Sequence, residues 1–154
     1  MQLSINRESL LKAINLIAKA ADKRHNMVIL GNIKLQLSES ALILTASDLE
    51  VELTSTLKLP AGACIEAGTT TLPATKLKDI CKSLPAQAQI NLATQENERC
   101  LLTSGKSRFT LGTLPSEDYP SLGNPENITP LTISRNRLID LIHKTGGVAV
   151  IAHP

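Results

Sequence analysis

Apolar and polar positions along the chain follow two rhythms in turn. Gln2–Ile5 alternates, which predicts a short strand, and Asn6 stands where a helix N-cap is wanted. From Arg7 to Ala21 the apolar residues Leu10, Ile14, Ile17, Ala18 and Ala21 recur at the spacing of one helical face. Lys12, Asn15, Lys19 and Lys23 fall on another face. Strand rhythm returns over Ile33–Leu37, Leu42–Ala46 and Val51–Leu57, with turns at Ser38–Ser40 and Ser47–Asp48. The order then repeats. Ile65–Thr70 predicts a strand, and Pro73 marks the first turn of a helix carrying Leu77, Ile80, Cys81 and Leu84, stopped by Pro85. Gln89–Ala93, Cys100–Thr103 and Arg108–Gly112 predict three more strands. A third round opens with a strand at Leu131–Ser134 and a helix over Arg135–Lys144.

A strand–helix–three-strand unit thus occurs twice before Pro115, which predicts an α+β fold built on an internal repeat. Joined edge to edge, the two units would make one sheet with both helices on one side. Each helix has basic positions, so that side suits a phosphate backbone followed without reading bases.

Composition narrows the function. Apolar residues make up 42% of the 154-residue chain but aromatics only 1%, namely Phe109 and Tyr119. The core is therefore aliphatic, and there is no aromatic platform on which single-stranded bases could stack. The net charge of +2 says little, but its distribution is uneven. Residues 1–36 carry Arg7, Lys12, Lys19, Lys23, Arg24 and Lys34 against Glu8 and Asp22. Residues 37–70 carry Glu39, Asp48, Glu50, Glu52 and Glu66 against Lys58. Such segregation fits a face that meets a polyanion, with ordinary surface scatter as the other reading. Cys64, Cys81 and Cys100 are odd in number and widely spaced, which predicts reduced thiols rather than disulfides or a zinc site. With no apolar signal core at Met1 and no run of membrane-spanning length, a soluble cytoplasmic protein is expected.

Catalytic apparatus is not apparent, and no cofactor is expected. Gly105-Lys106-Ser107 resembles the end of a phosphate loop, but Cys100 stands where that loop needs glycine. A tight hairpin turn is the better reading. His25, His143 and His153 are isolated from other metal-ligating residues, and Asp48 with Glu50 reads as an acidic loop. No nucleophile stands beside a base.

Six fragments, in order, carry a resemblance. Met1–Asn6 with Arg7–Leu11 is similar to the opening of the bacterial sliding-clamp family, the beta subunit of DNA polymerase III. Ile29–Asn32 resembles its "PILGN", with Val28 in place of the proline, and Leu44–Glu50 its "LTGTDLE". Thr70–Ala74, Lys76 and Asp79–Cys81 resemble "TTVPARK…DIC". Ser104–Phe109, Thr113–Pro115 and Asp118–Pro120 resemble "SGRSRF…TLP…DFP". Leu131–Lys144 resembles the opening of the family's second domain.

The resemblance implies a non-catalytic scaffold in which three such domains per chain, two chains per ring, enclose duplex DNA, with helices lining the hole. It implies domain bounds of 1–122 for the first clamp domain, 123–144 for a linker and the start of the second, and 145–154 for a tail of another kind. Implied DNA contacts are Arg24 and, where the family carries arginine, Thr75, with Lys12, Lys19, Lys23, Lys76 and Lys82 adding basic character. A solvated surface group is the other reading of each lysine. Implied interface residues toward a partner subunit are Ile80, Leu84, Lys106, Arg108, Phe109 and Leu111; plain core packing is the other reading of Phe109. Implied partners are duplex DNA, a second clamp subunit, the replicative polymerase and the clamp loader, the last two docking in a groove between the second and third domains. A chain of this length is expected to lack that groove and to be unable to close the ring. The tail, Thr145–Pro154, instead resembles "GGVAVIAHP" of the polymerase-and-histidinol-phosphatase metallohydrolases, so a fused or rearranged fragment of a metal-dependent phosphoesterase stands as the alternative.

Overall fold

The computed structural model describes residues 1–21, 26–123 and 133–144, in two units, Met1–Leu122 and Gly123–Pro154. The first unit runs β1 (Gln2–Asn6), α1 (Arg7–Ile17), β2 (Asn32–Leu37), β3 (Ala41–Ser47), β4 (Glu52–Lys58), β5 (Cys64–Glu66), β6 (Gly68–Pro73), α2 (Ala74–Ser83), β7 (Gln89–Gln95), β8 (Arg99–Ser104) and β9 (Ser107–Gly112). In the second unit α3 spans Arg135–Lys144.

Local chemistry explains the helix bounds. Asn6 is extended, and its Oδ1 accepts the Glu8 N–H at 2.8 Å, satisfying a donor the first turn leaves free. Leu10, Ala13, Ile14 and Ile17 form the buried stripe of α1. The helix expected to reach Ala21 tightens after Ile17 into a 3-10 turn over Ala18–Ala20, a common way for an α-helix to end. Pro73 is not in the first turn of α2 but is the last residue of β6, where its fixed φ leads into Ala74. The strand expected at Leu131–Ser134 lies partly outside the described residues. Ile133 and Ser134 are not in a strand, and Ser134 Oγ instead accepts the Arg137 N–H at 3.4 Å at the start of α3.

The repeat is present, but its sheets are organised differently from the expectation. Two antiparallel sheets replace one continuous sheet: β5-β1-β7-β8-β9 and β4-β3-β2-β6. β1 pairs with β7, from Gln2↔Ala93 to Asn6↔Gln89, and β6 pairs with β2, from Asn32↔Pro73 to Leu37↔Gly68. Each repeat therefore gives its first strand to the sheet of the other. The single strand expected at Ile65–Thr70 is also two: β5 pairs with β1, whereas β6 belongs to the other sheet. The chain changes sheet at Gly68, with φ +159°, where an added Cβ would sit 3.0 Å from the Met1 Cβ.

One aliphatic cluster joins both sheets and both helices. Leu3, Leu10, Ile14, Ile33, Leu35, Leu42, Leu44, Leu72, Leu77, Ile90, Leu92 and Leu102 are fully buried within it. Each contributes about 1.5–3 kcal/mol by leaving water. A polar seam crosses one end of the second sheet. Thr71 Oγ donates to the Leu114 carbonyl (2.9 Å) and accepts from Leu114 N–H and Asn32 Nδ2 (both 3.0 Å). The buried Tyr119 hydroxyl accepts the Ser47 N–H at 3.1 Å and donates to the Asn32 carbonyl at 3.2 Å. These bonds strap the segment after β9 across β2, β3 and β6.

Candidate nucleic-acid interface

α1 and α2 pack against each other, each with its apolar stripe turned into the common core. Exposed on α1 and its 3-10 extension are Glu8, Ser9, Lys12, Asn15, Leu16 and Lys19, among which Lys12, Asn15 and Lys19 form an outward row that also holds the apolar Leu16. Lys12 and Lys19 lie seven residues apart, about 11 Å along the axis. On α2, Lys76 and Lys82 are exposed and Thr75 is half-buried. Asp79 is exposed on the same helix and offsets part of that charge. Thr75 offers a short uncharged hydroxyl where the sequence comparison expected arginine. Lys23 and Arg24 lie outside the described residues, as does the tail at 145–154.

The helices are tied by a residue whose role the sequence pattern did not reveal. Arg7, first in α1, donates from Nε to the Cys81 carbonyl at 2.7 Å and from Nη2 to the Lys82 carbonyl at 3.5 Å. Its own N–H donates to the Ala88 carbonyl at 2.8 Å. The start of α1 is thereby fastened to the end of α2. Arginine at a first helical position carries no local signal for this; the partner lies 74 residues away.

The residues expected at a subunit interface gather along one margin. β9 is the outer strand of its sheet, so its outward N–H and C=O groups lack a strand neighbour within that sheet. Lys106 and Arg108 are exposed, Phe109 is half-buried against the core, and Leu111 is buried. Leu84 is buried and Ile80 half-buried in the same cluster. Beside them Leu84, Pro85, Ala88, Gln89 and Ser104–Ser107 line a groove of about 440 Å³. Gly105-Lys106-Ser107 forms the β8–β9 hairpin turn, with Gly105 at φ +55°, not a strand-to-helix phosphate loop.

The remaining polar chemistry serves the fold. Asp48 Oδ1 accepts the N–H groups of Glu50 (3.0 Å) and Val51 (2.8 Å), fixing the acidic β3–β4 turn. Burial pushes the Cys81 and Cys100 thiols up to about 11, the Cys81 shift being opposed by the Arg7 charge. Thiols so held are poor nucleophiles. Among the described residues no His, Cys, Asp and Glu come together as a metal site, and no helix is long and apolar enough to cross a membrane.

Comparisons with known proteins agree with this geometry. Residues 1–123 match the family described as DNA polymerase III beta subunit, N-terminal domain. The beta sliding clamp of Haemophilus influenzae is 41% identical over 145 residues, covering 94% of this chain and 39% of that protein. A sliding clamp from Pseudomonas aeruginosa, solved bound to griselimycin, superposes with a TM-score of 0.86 at 39% identity, over 94% of this chain and 38% of that one. The polymerase III beta of Caulobacter crescentus gives 0.86 at 31% identity, with the same coverage. The chain spans about 39% of the length of the curated clamps of Haemophilus influenzae and Pseudomonas putida that it matches.

Proposed function

The chain belongs to the family of the DNA polymerase III beta subunit, N-terminal domain, and on that premise we propose that its α1–α2 face follows the backbone of duplex DNA as one segment of a non-catalytic ring that keeps a replicative polymerase on its template. The observation that carries the proposal is the pairing of two packed helices whose outward faces hold Lys12, Lys19, Lys76 and Lys82. Lysines are mobile point charges on flexible stems, so they attract phosphates without fixing a register. With no aromatic on these helices, stacking adds no sequence preference. Thr75 removes one expected cation and Asp79 opposes others, which keeps the contact weak enough to slide. The β9 margin, with Lys106, Arg108, Phe109 and Leu111 beside Ile80 and Leu84, is the edge on which a second clamp subunit docks in this reading. Residues 123–144 then form the linker and the opening of a second domain of the same kind.

Fluorescence anisotropy of the 154-residue chain with a short labelled duplex tests this. Each phosphate contact contributes about 0.9 to the slope of log K against log salt, so three to four lysines give a slope of about −3 to −4 between roughly 50 and 200 mM salt. The same slope is expected for unrelated sequences. Affinity indifferent to salt, or a strong preference for one sequence, would refute a backbone-following face.

A further inference from the structure

We propose that Arg7 is a positioning residue for the DNA-facing surface: it does not meet phosphate itself but sets where Lys82 stands relative to Lys12 and Lys19. This rests on the reading of the α1–α2 face given above. The last carbonyls of any α-helix lack partners within it. In α2 the Ile80 carbonyl is taken by the Leu84 N–H (3.2 Å) and Ser83 Oγ (2.8 Å). The next two carbonyls, of Cys81 and Lys82, receive the Arg7 guanidinium. Pro85 follows Leu84 and has no N–H to offer. Arg7 thus closes the end of α2 from outside the helix, and its charge also meets the negative end of the helix dipole.

A planar, forked guanidinium holding two successive carbonyls constrains orientation as well as distance. The short bond, 2.7 Å to the Cys81 carbonyl, lies on the peptide that leads into Lys82, so the backbone from which that side chain departs is tied to the first residue of α1, with the longer contact to the Lys82 carbonyl beside it. α2 is only ten residues long, and its apolar stripe is short: Ala74, Leu77 and Cys81 are buried and Ile80 is half-buried against the core. Such a stripe resists sliding along the core less than a longer one would. The tie therefore holds the charges of the two helices in one pattern. Lysine in place of Arg7 keeps the charge but presents a single ammonium, which lacks the fork.

The test is a set of double-mutant cycles on the whole chain, reading the salt slope of duplex binding, with thermal melts run in parallel. Arg7→Met and Arg7→Lys are each combined with Lys82→Ala and, separately, with Lys12→Ala. Each Arg7 variant is expected to reduce the magnitude of the slope by up to about 0.9, the share of one phosphate contact. Lys82→Ala should then add little, whereas Lys12→Ala should add its full effect, since coupling is confined to groups that share a structural link. Additive losses with Lys82→Ala, or full recovery in Arg7→Lys, would show that Arg7 acts only as a charge and overturn the proposal. Lower melting temperature with an unchanged slope would overturn it too, by reducing the tie to a stability contact. A wild-type chain with no salt slope overturns the backbone-following reading and this proposal together, and that flat control separates it from failure of Arg7 alone. Should Arg7→Met not fold, the Arg7→Lys cycle decides the question.

Discussion

Replacing Tyr119 with phenylalanine removes one oxygen and unpairs two buried backbone groups. The hydroxyl accepts the Ser47 N–H at 3.1 Å and donates to the Asn32 carbonyl at 3.2 Å. Ser47 is wholly buried and Asn32 is 6% exposed, so neither group gains free access to water when the phenol goes. Pro73 lies opposite Asn32 in the β2–β6 register and brings no N–H to that carbonyl. A buried donor or acceptor left unsatisfied costs about 1–3 kcal/mol, and carbonyls tolerate it better than N–H groups, so the expected loss is about 2–4 kcal/mol. For a unit of this size that is a fall in melting temperature of roughly 8–16 °C, at about 4 °C per kcal/mol. Urea titration of both proteins measures the loss, and an unchanged m-value would show that the unfolded reference is the same. Hydrogen exchange should accelerate at the Ser47 amide more than at Leu10 or Leu77 in the core. A loss below about 0.5 kcal/mol would mean that water reaches these groups after substitution, and the strap across β2 and β3 would then not be held by the phenol.

Two further perturbations follow from the same structure. Cys81 and Cys100 are raised by burial from 9.0 to about 11, so in the unfolded chain these thiols ionise first. Their contribution is whole below about pH 9 and is lost as pH rises toward 11, by at most about 2–3 kcal/mol per thiol; burial raises the Tyr119 phenol as well, in the same sense. Urea midpoints at pH 8 and 10.5 should differ, and a Cys81→Ala/Cys100→Ala variant should lose much of that difference; equal drops in both proteins would refute the assignment. Gly68→Ala places a Cβ 3.0 Å from the Met1 Cβ, at φ +159°, and should cost about 1–3 kcal/mol by overpacking, read as a lower urea midpoint; a neutral result would mean that Met1 yields freely.

The elements were legible in the sequence because their signals are local. The spacing of Leu10, Ile14 and Ile17, and of Leu77 and Cys81, marked both helices, and the lysines on their outward faces followed as the complement of those stripes. Strand partnership was not legible, since β1–β7 and β2–β6 join residues far apart in the chain. Alternation shows that a strand has a buried face without showing which neighbour it takes. One overlooked clue was local: Gly68 inside an otherwise strand-like run was the sign of a break. The position of β9 at a sheet margin, and the reach of Arg7 to α2, depend on tertiary order alone.

The exchange of first strands interleaves the two repeats around the core that both helices share. With β1 in the sheet of β7–β9 and β6 in that of β2–β4, each helix follows a strand that belongs to the other repeat's sheet. α1 and α2 then share one core and pack against each other. Arg7 refines a placement that the interleaved sheets already impose. Thr75 and Asp79 then modulate the charge of a surface whose shape does not depend on them.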